Sequence, residues 1–79
     1  MTVLLTLYST SHCHLCEQAE AMVQKMCLQN NVKFSVVEIA DDAVLLEQYG
    51  LKIPVLKRLD TSGELSWPFT EIDIAKLIS

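Results

Sequence analysis

Apolar residues run almost unbroken from Thr2 to Tyr8, as Val3, Leu4, Leu5 and Leu7. That pattern predicts a central strand buried on both faces rather than a strand with one wet side. Ser9-Thr10-Ser11-His12 follows as a polar loop. From Cys13 the period changes. Leu15, Ala19, Met22, Val23 and Met26 recur at helical spacing, while Glu17, Gln18, Gln24 and Lys25 fall mainly on the other faces. The helix is expected to end near Asn30-Asn31, residues that tolerate a left-handed C-cap. Val32 to Ile39, with Phe34, Val36 and Val37, is β-branched and aromatic and predicts a second strand. Strand, helix and strand in this order make a parallel βαβ unit with a right-handed crossover.

Asp41 or Asp42 can cap a short helix through Ala43, Val44, Leu45, Leu46 and Tyr49, with Gly50 as its stop. A third strand begins at Ile53-Pro54-Val55-Leu56-Lys57-Arg58-Leu59. Proline has no N–H to give a central strand, so Pro54 belongs at the strand's first position or on an edge. Lys57 and Arg58 are expected to keep an edge soluble. Asp60-Thr61-Ser62-Gly63 is a turn signal, and Glu64 to Trp67 completes an antiparallel hairpin that Pro68 ends. Thr70 with Asp73 reads as the cap of a last helix, stapled by Phe69 and Ile74. Ile72, Ile74, Ala75, Leu77 and Ile78 are its expected buried face.

Composition narrows the picture. A chain of 79 residues, 51% of them hydrophobic, has enough apolar material for one small core and none for a second, so residues 1–79 are expected to form one domain. Net charge is −4 and the six basic residues are scattered, which argues against nucleic acid and against an anionic membrane as partners. No apolar run approaches the ~20 residues of a membrane-spanning helix. The first residues lack the positive region and small-residue cleavage site of a secretory signal. The three cysteines are an odd number, and two of them lie too close together for a structural disulfide framework; both facts point to the cytoplasm.

Cys13-His14-Leu15-Cys16 carries the candidate chemistry. A strand that ends where a helix begins leaves the first thiol at the helix N-terminus, where unpaired backbone N–H groups and the helix dipole favour its thiolate. Disulfide exchange needs such a thiolate to attack and a second thiol to resolve the mixed disulfide. Cys13 at the N-cap fits the first role and Cys16, one turn in and less exposed, the second. His12 and His14 flank the nucleophile, and an imidazolium there favours the thiolate while Glu17 opposes it. The thiol of Cys13 is therefore expected below the ordinary ~8.5. Cys27 falls on nearly the same helical face as Cys16 and Val23 and is expected to pack as a small hydrophobe.

The order β-α-β-α-β-β-α, a Cys-x-x-Cys at a helix start and an Ile-Pro before the third strand together resemble the thioredoxin fold, and the compactness of the chain resembles its glutaredoxin branch. The resemblance covers essentially the whole chain. It implies an α/β thioredoxin fold with a four-stranded mixed sheet and a dithiol oxidoreductase using Cys13 and Cys16. It also implies that Pro54 is the family's cis-proline, packed beside the disulfide, with the backbone of Ile53 offered to an extended substrate. His12, His14, Ile53, Pro54 and Trp67 make up the expected substrate-binding set.

Three positions depart from that pattern. Glutaredoxins usually carry proline after the first cysteine, a basic residue about three positions before it, and a Gly-Gly pair followed by an acidic residue at the last helix. Here His14 and Thr10 hold the first two places, and Trp67-Pro68 lies near the third. The usual binding motif for glutathione is thus missing. No cofactor is expected, glutathione being left open as a reductant only; the partner is expected to be a disulfide-containing protein or a small thiol, and the chain a monomer. Two other readings stand beside this one. Zinc or copper could use Cys13, Cys16 and His12 or His14, although residues so close in sequence rarely complete a tetrahedral site and Cys27 lies too far along the helix, so no metal is assigned. The fold could also serve as a non-catalytic interaction module.

Overall fold

A computed structural model describes residues 4–79. Thr2 and Val3, expected at the start of the first strand, lie outside the described residues. In chain order the elements are β1 (Leu4–Ser9), α1 (His14–Asn30), β2 (Lys33–Glu38), α2 (Ala43–Tyr49), β3 (Val55–Arg58), β4 (Glu64–Ser66) and α3 (Glu71–Ile78).

The strands form a four-stranded sheet in the order β2-β1-β3-β4. β1 pairs parallel with β2, Leu7 opposite Val36, and antiparallel with β3, Leu7 opposite Leu56. β3 and β4 form the antiparallel hairpin, Leu56 opposite Leu65. β1 is therefore interior, as its continuous apolar run requires, and Leu5, Thr6 and Leu7 are all buried. Alternation along it supplies two cores. Leu5 and Leu7 face α1 and α3, where they join Ala19, Val23, Met26, Cys27, Leu56, Phe69 and Ile74. Tyr8 faces the other way and packs with Ile39, Tyr49 and Val55, flanked by Leu45 and Ile53.

Local chemistry sets the helix ends. Asn31 closes α1 in the left-handed conformation (φ 55°), and its N–H donates to the Cys27 carbonyl. Asp42 accepts from the N–H groups of Val44 and Leu45 at the start of α2. Thr70 and Asp73 form a reciprocal capping box on α3, and the flanking Phe69 and Ile74 are both buried.

Four expectations need correction. Leu15 is half exposed, because the buried row of α1 runs through Cys16, Ala19, Val23, Met26 and Cys27, and Leu15 stands about 100° around the helix from Cys16. On α3 only Ile74 is buried. Leu77 and Ile78 share its stripe and are half-buried, whereas Ile72 and Ala75 fall off it and face solvent. Gly50 is right-handed (φ −53°), so α2 ends without a left-handed cap, and the Lys52 and Ile53 N–H groups both turn back to the Tyr49 carbonyl. Arg58 is not an edge residue. β4 covers that side of β3, and the guanidinium holds Asp60 through Nε at 2.6 Å while Nη1 donates to the carbonyls of Leu77 and Ser79. It thereby satisfies carbonyls that the end of α3 leaves unpaired and complements the negative end of that helix.

Candidate functional site

The site is built where β1 runs out and α1 begins. Cys13 is the N-cap of α1 in an extended conformation (φ −103°, ψ 105°), and its Sγ accepts from the Cys16 N–H at 3.2 Å. A side chain in this place takes up one of the N–H groups that a helix start leaves unpaired. The two cysteines are joined as a disulfide, their Cα atoms 5.2 Å apart. Their exposures differ in a way that matters for exchange. Cys13 is half-buried, while Cys16 is 2% exposed and lies on the buried row of α1. Cys13 is the more exposed of the two, and Cys16 lies behind it in the core. Cys27 is buried further along the same row, and burial pushes its thiol up.

His12 and His14 are both exposed. His12 holds the left-handed conformation (φ 59°), an uncommon one for a residue with a Cβ, which turns the chain sharply into Cys13. The His14 ring lies beside the Glu17 carboxylate, Nδ1 to Oε2 3.8 Å, with both side chains largely in solvent. Among the described residues, no three His, Cys, Asp or Glu side chains gather in a group able to hold a metal ion.

Register brings the remaining expected site residues to the same end of the sheet. Tyr8 is opposite Val55, so Ile53-Pro54 lies just beyond the last pair of the β1–β3 ladder, alongside the loop that leads to Cys13. Pro54 is buried, and the Ile53–Pro54 peptide bond is cis, as is Trp67–Pro68. The Trp67 N–H donates to the Pro54 carbonyl at 3.1 Å, which ties the end of β4 to the same corner. The Trp67 ring packs edge-on against Phe69, centroids 5.1 Å apart, and belongs to the rim of the α1–α3 core.

Two residues of this end carry polar contacts that sequence reasoning missed. Glu38, the last residue of β2, stands opposite Ser9. Its Oε1 accepts from both the N–H and the hydroxyl of Ser11 at 2.9 Å, and its Oε2 accepts from the Ala40 N–H at 3.2 Å. Hydrogen bonds from the Thr10 hydroxyl, then Ala40 and Ser11, hold its carboxyl down to about 2. The available signal was a Ser-Thr-Ser loop rich in donors and without a carboxylate of its own, beside the C-terminal end of a parallel strand. The second residue is Tyr49. Its ring stacks on Tyr8 with centroids 4.4 Å apart, and its hydroxyl donates to Glu64 of β4. That bond, then burial, pushes its phenol up to about 12. Nothing in a one-dimensional pattern pairs positions 49 and 64.

The chain matches, over residues 4–79, the family model described as a glutaredoxin-like domain. Among solved structures it is similar to the structural-genomics target protein XcR50 from X. campestris, at 38% identity and a TM-score of 0.81 over 94% of this chain and 93% of that one. It is also similar to protein Ne2328 from Nitrosomonas europaea, at 25% identity and a TM-score of 0.79 over 96% and 89%. Thioredoxin 1 from Thermosipho africanus shares the fold, with a TM-score of 0.73 at 13% identity over 95% and 89%. No match was found among curated proteins.

Proposed function

The chain belongs to the glutaredoxin-like domain family, and from that premise we propose that it is a thiol-disulfide oxidoreductase working through Cys13 and Cys16. The observation that carries the proposal is the unequal exposure of two sulfurs at one helix start, Cys13 open and facing a backbone N–H, Cys16 behind it in the core.

In the reduced protein the Cys13 thiolate attacks one sulfur of a substrate disulfide. A bond forms between that sulfur and Sγ of Cys13, the substrate S–S bond breaks, and the second substrate sulfur leaves as a thiolate that takes a proton from water. Cys16 then gives up its proton to solvent and attacks Sγ of Cys13. The first substrate sulfur is released as a thiol, leaving the Cys13–Cys16 disulfide seen here. The substrate gains two electrons and the protein loses them; an external thiol reductant returns them by the reverse steps.

The substrate is a disulfide-containing protein or a small disulfide, bound in extended form across the corner made by Ile53, Pro54 and the backbone of Trp67, with His12 and His14 at its margin. Glutathione is not assigned as a bound cofactor, since Thr10, His14 and Trp67-Pro68 stand where the usual determinants would be. The protein works as a monomer in a reducing, cytoplasmic setting. Neither nucleic acid nor membrane is a partner, and among the described residues no helix is long and apolar enough to cross a membrane.

The test is turnover of a peptide disulfide in the presence of an excess of small thiol. Cys13→Ser is expected to remove all exchange above the uncatalysed background, and reduced Cys16→Ser, mixed with the peptide disulfide without added thiol, to retain attack and accumulate the mixed disulfide on Cys13. Turnover that survives in Cys13→Ser contradicts the mechanism. Absence of turnover in the unaltered protein with every disulfide tried favours the non-catalytic interaction module.

A further inference from the structure

Glu38 is the only side chain that the hydrogen bonds of the described residues connect to the loop before Cys13 from another strand. The loop needs such a connection. It passes from Ser9, whose carbonyl takes the Ile39 N–H as the last rung beside β2, to Cys13 through the left-handed His12. Positive φ is less favourable for a residue with a Cβ, and contacts that hold the neighbouring backbone offset that cost. Glu38 supplies the hold: one oxygen takes both Ser11 donors, one residue before His12, and the other is fixed by the Ala40 N–H at the start of the β2–α2 connection. One oxygen of the carboxylate is thus engaged by the loop and the other by the start of the β2–α2 connection.

We infer that Glu38 is a positioning residue for the exchange reaction: its carboxylate fixes the Ser9–His12 loop so that Cys13 enters α1 as the N-cap with its sulfur facing the Cys16 N–H. The inference rests on the dithiol reading above and deepens it. A carboxylate near a thiol also has a direct effect of opposite sign, because its charge disfavours the thiolate. Removing Glu38 therefore separates the two roles. Loss of positioning raises the Cys13 thiol toward its ordinary value, whereas loss of charge alone lowers it. Carboxylate charge is not needed for positioning; acceptor oxygens are, and glutamine keeps one of them.

The experiment is the rate of alkylation of Cys13 against pH in the reduced full chain, with the modified residue located by mass spectrometry, for the unaltered protein, Glu38→Ala and Glu38→Gln. Far-ultraviolet circular dichroism establishes that each variant is folded. His12, His14 and Glu17, the titrating groups beside Cys13, are unchanged in all three. Glu38→Ala is expected to raise the midpoint by about one unit, which leaves roughly tenfold less thiolate at a pH well below it. Glu38→Gln is expected to restore most of that loss.

A midpoint in Glu38→Ala equal to that of the unaltered protein overturns the inference, as does an equal fall in both variants, which would assign Glu38 a charge effect. If Glu38→Ala does not fold, Ser11→Ala is read instead. It removes the hydroxyl contact alone, so a smaller rise is expected, and no rise overturns the inference. An ordinary midpoint in the unaltered protein, with no exchange activity, removes the dithiol reading and this inference with it. A lowered midpoint that Glu38→Ala leaves unmoved removes only the role of Glu38.

Discussion

The two faces of the sheet are held by different means. Toward α1 and α3, Leu5, Leu7 and Leu56 meet Ala19, Val23, Met26, Phe69 and Ile74 in a continuous apolar core. Toward α2, Ile39, Tyr49 and Val55 form a small cluster, and polar contacts do the rest: Asp42 on the first turn of α2, and Tyr49 stacked on Tyr8 and bonded to Glu64. The Cys13–Cys16 pair straddles this divide. Cys16 is rooted in the thick core, and Cys13 hangs from a loop pinned by Glu38 at the exit to α2. A resolving thiol has to stay in one place behind its partner, and close packing provides that. In the proposed mechanism the attacking thiol has to remain reachable, and a hydrogen-bonded loop at the surface holds Cys13 in place while leaving it more exposed than Cys16.

Each face should therefore break under a different substitution. Ile74→Ala removes buried side chain from the thick face and is expected to cost ~2–5 kcal/mol in chemical denaturation. Tyr49→Phe keeps the stack on Tyr8 and removes only the bond to the exposed Glu64, so its expected cost is about 1 kcal/mol or less. Equal losses would erase the distinction between the faces.

A smaller effect sharpens the comparison through pH. The carboxyl of Glu38 is held down at about 2 from an ordinary 4.5, so the folded state favours its charged form. The contribution is present above pH 4.5 and is lost as pH falls through about 2. Glu38→Gln has no such dependence. The stability difference between the two proteins, followed by denaturation at several pH values, should shrink steadily across this window. A difference that stays constant from pH 5 to pH 2 would show that the carboxylate gains nothing from Ser11, Thr10 and Ala40.

The thick face was legible in the sequence; of the thin one only α2 and its Asp42 cap were. The apolar run from Leu4 to Leu7 marks an interior strand. The periodicity of Ala19, Val23 and Met26 marks the buried side of α1, and Thr70 with Asp73 marks a helix start, because each of these signals is local. Leu15 and Ile72 misled for a related reason: periodicity gives a face, and the width of the covering neighbour decides how much of that face is buried. Arg58 misled because adjacency of β3 and β4 makes an apparent edge interior. Cys13 and Cys16 were legible as a pair from spacing, and the helix start accounts for their different surroundings: the Cys13 sulfur faces the Cys16 N–H and Cys16 lies in the core. Glu38 and the Tyr49–Glu64 contact depend on strand register and on elements that meet only after folding, so no spacing rule reaches them.

The central claim is that Cys13 is the reactive sulfur and that its position at the start of α1 makes it so. Brief alkylation of the reduced protein at neutral pH, with limiting reagent and each modified cysteine identified by mass spectrometry, tests it directly. The account predicts modification of Cys13 ahead of Cys16 and Cys27, at a rate above that of a free cysteine in a short peptide. Reaction of Cys16 first, or of Cys13 no faster than the peptide thiol, would contradict it.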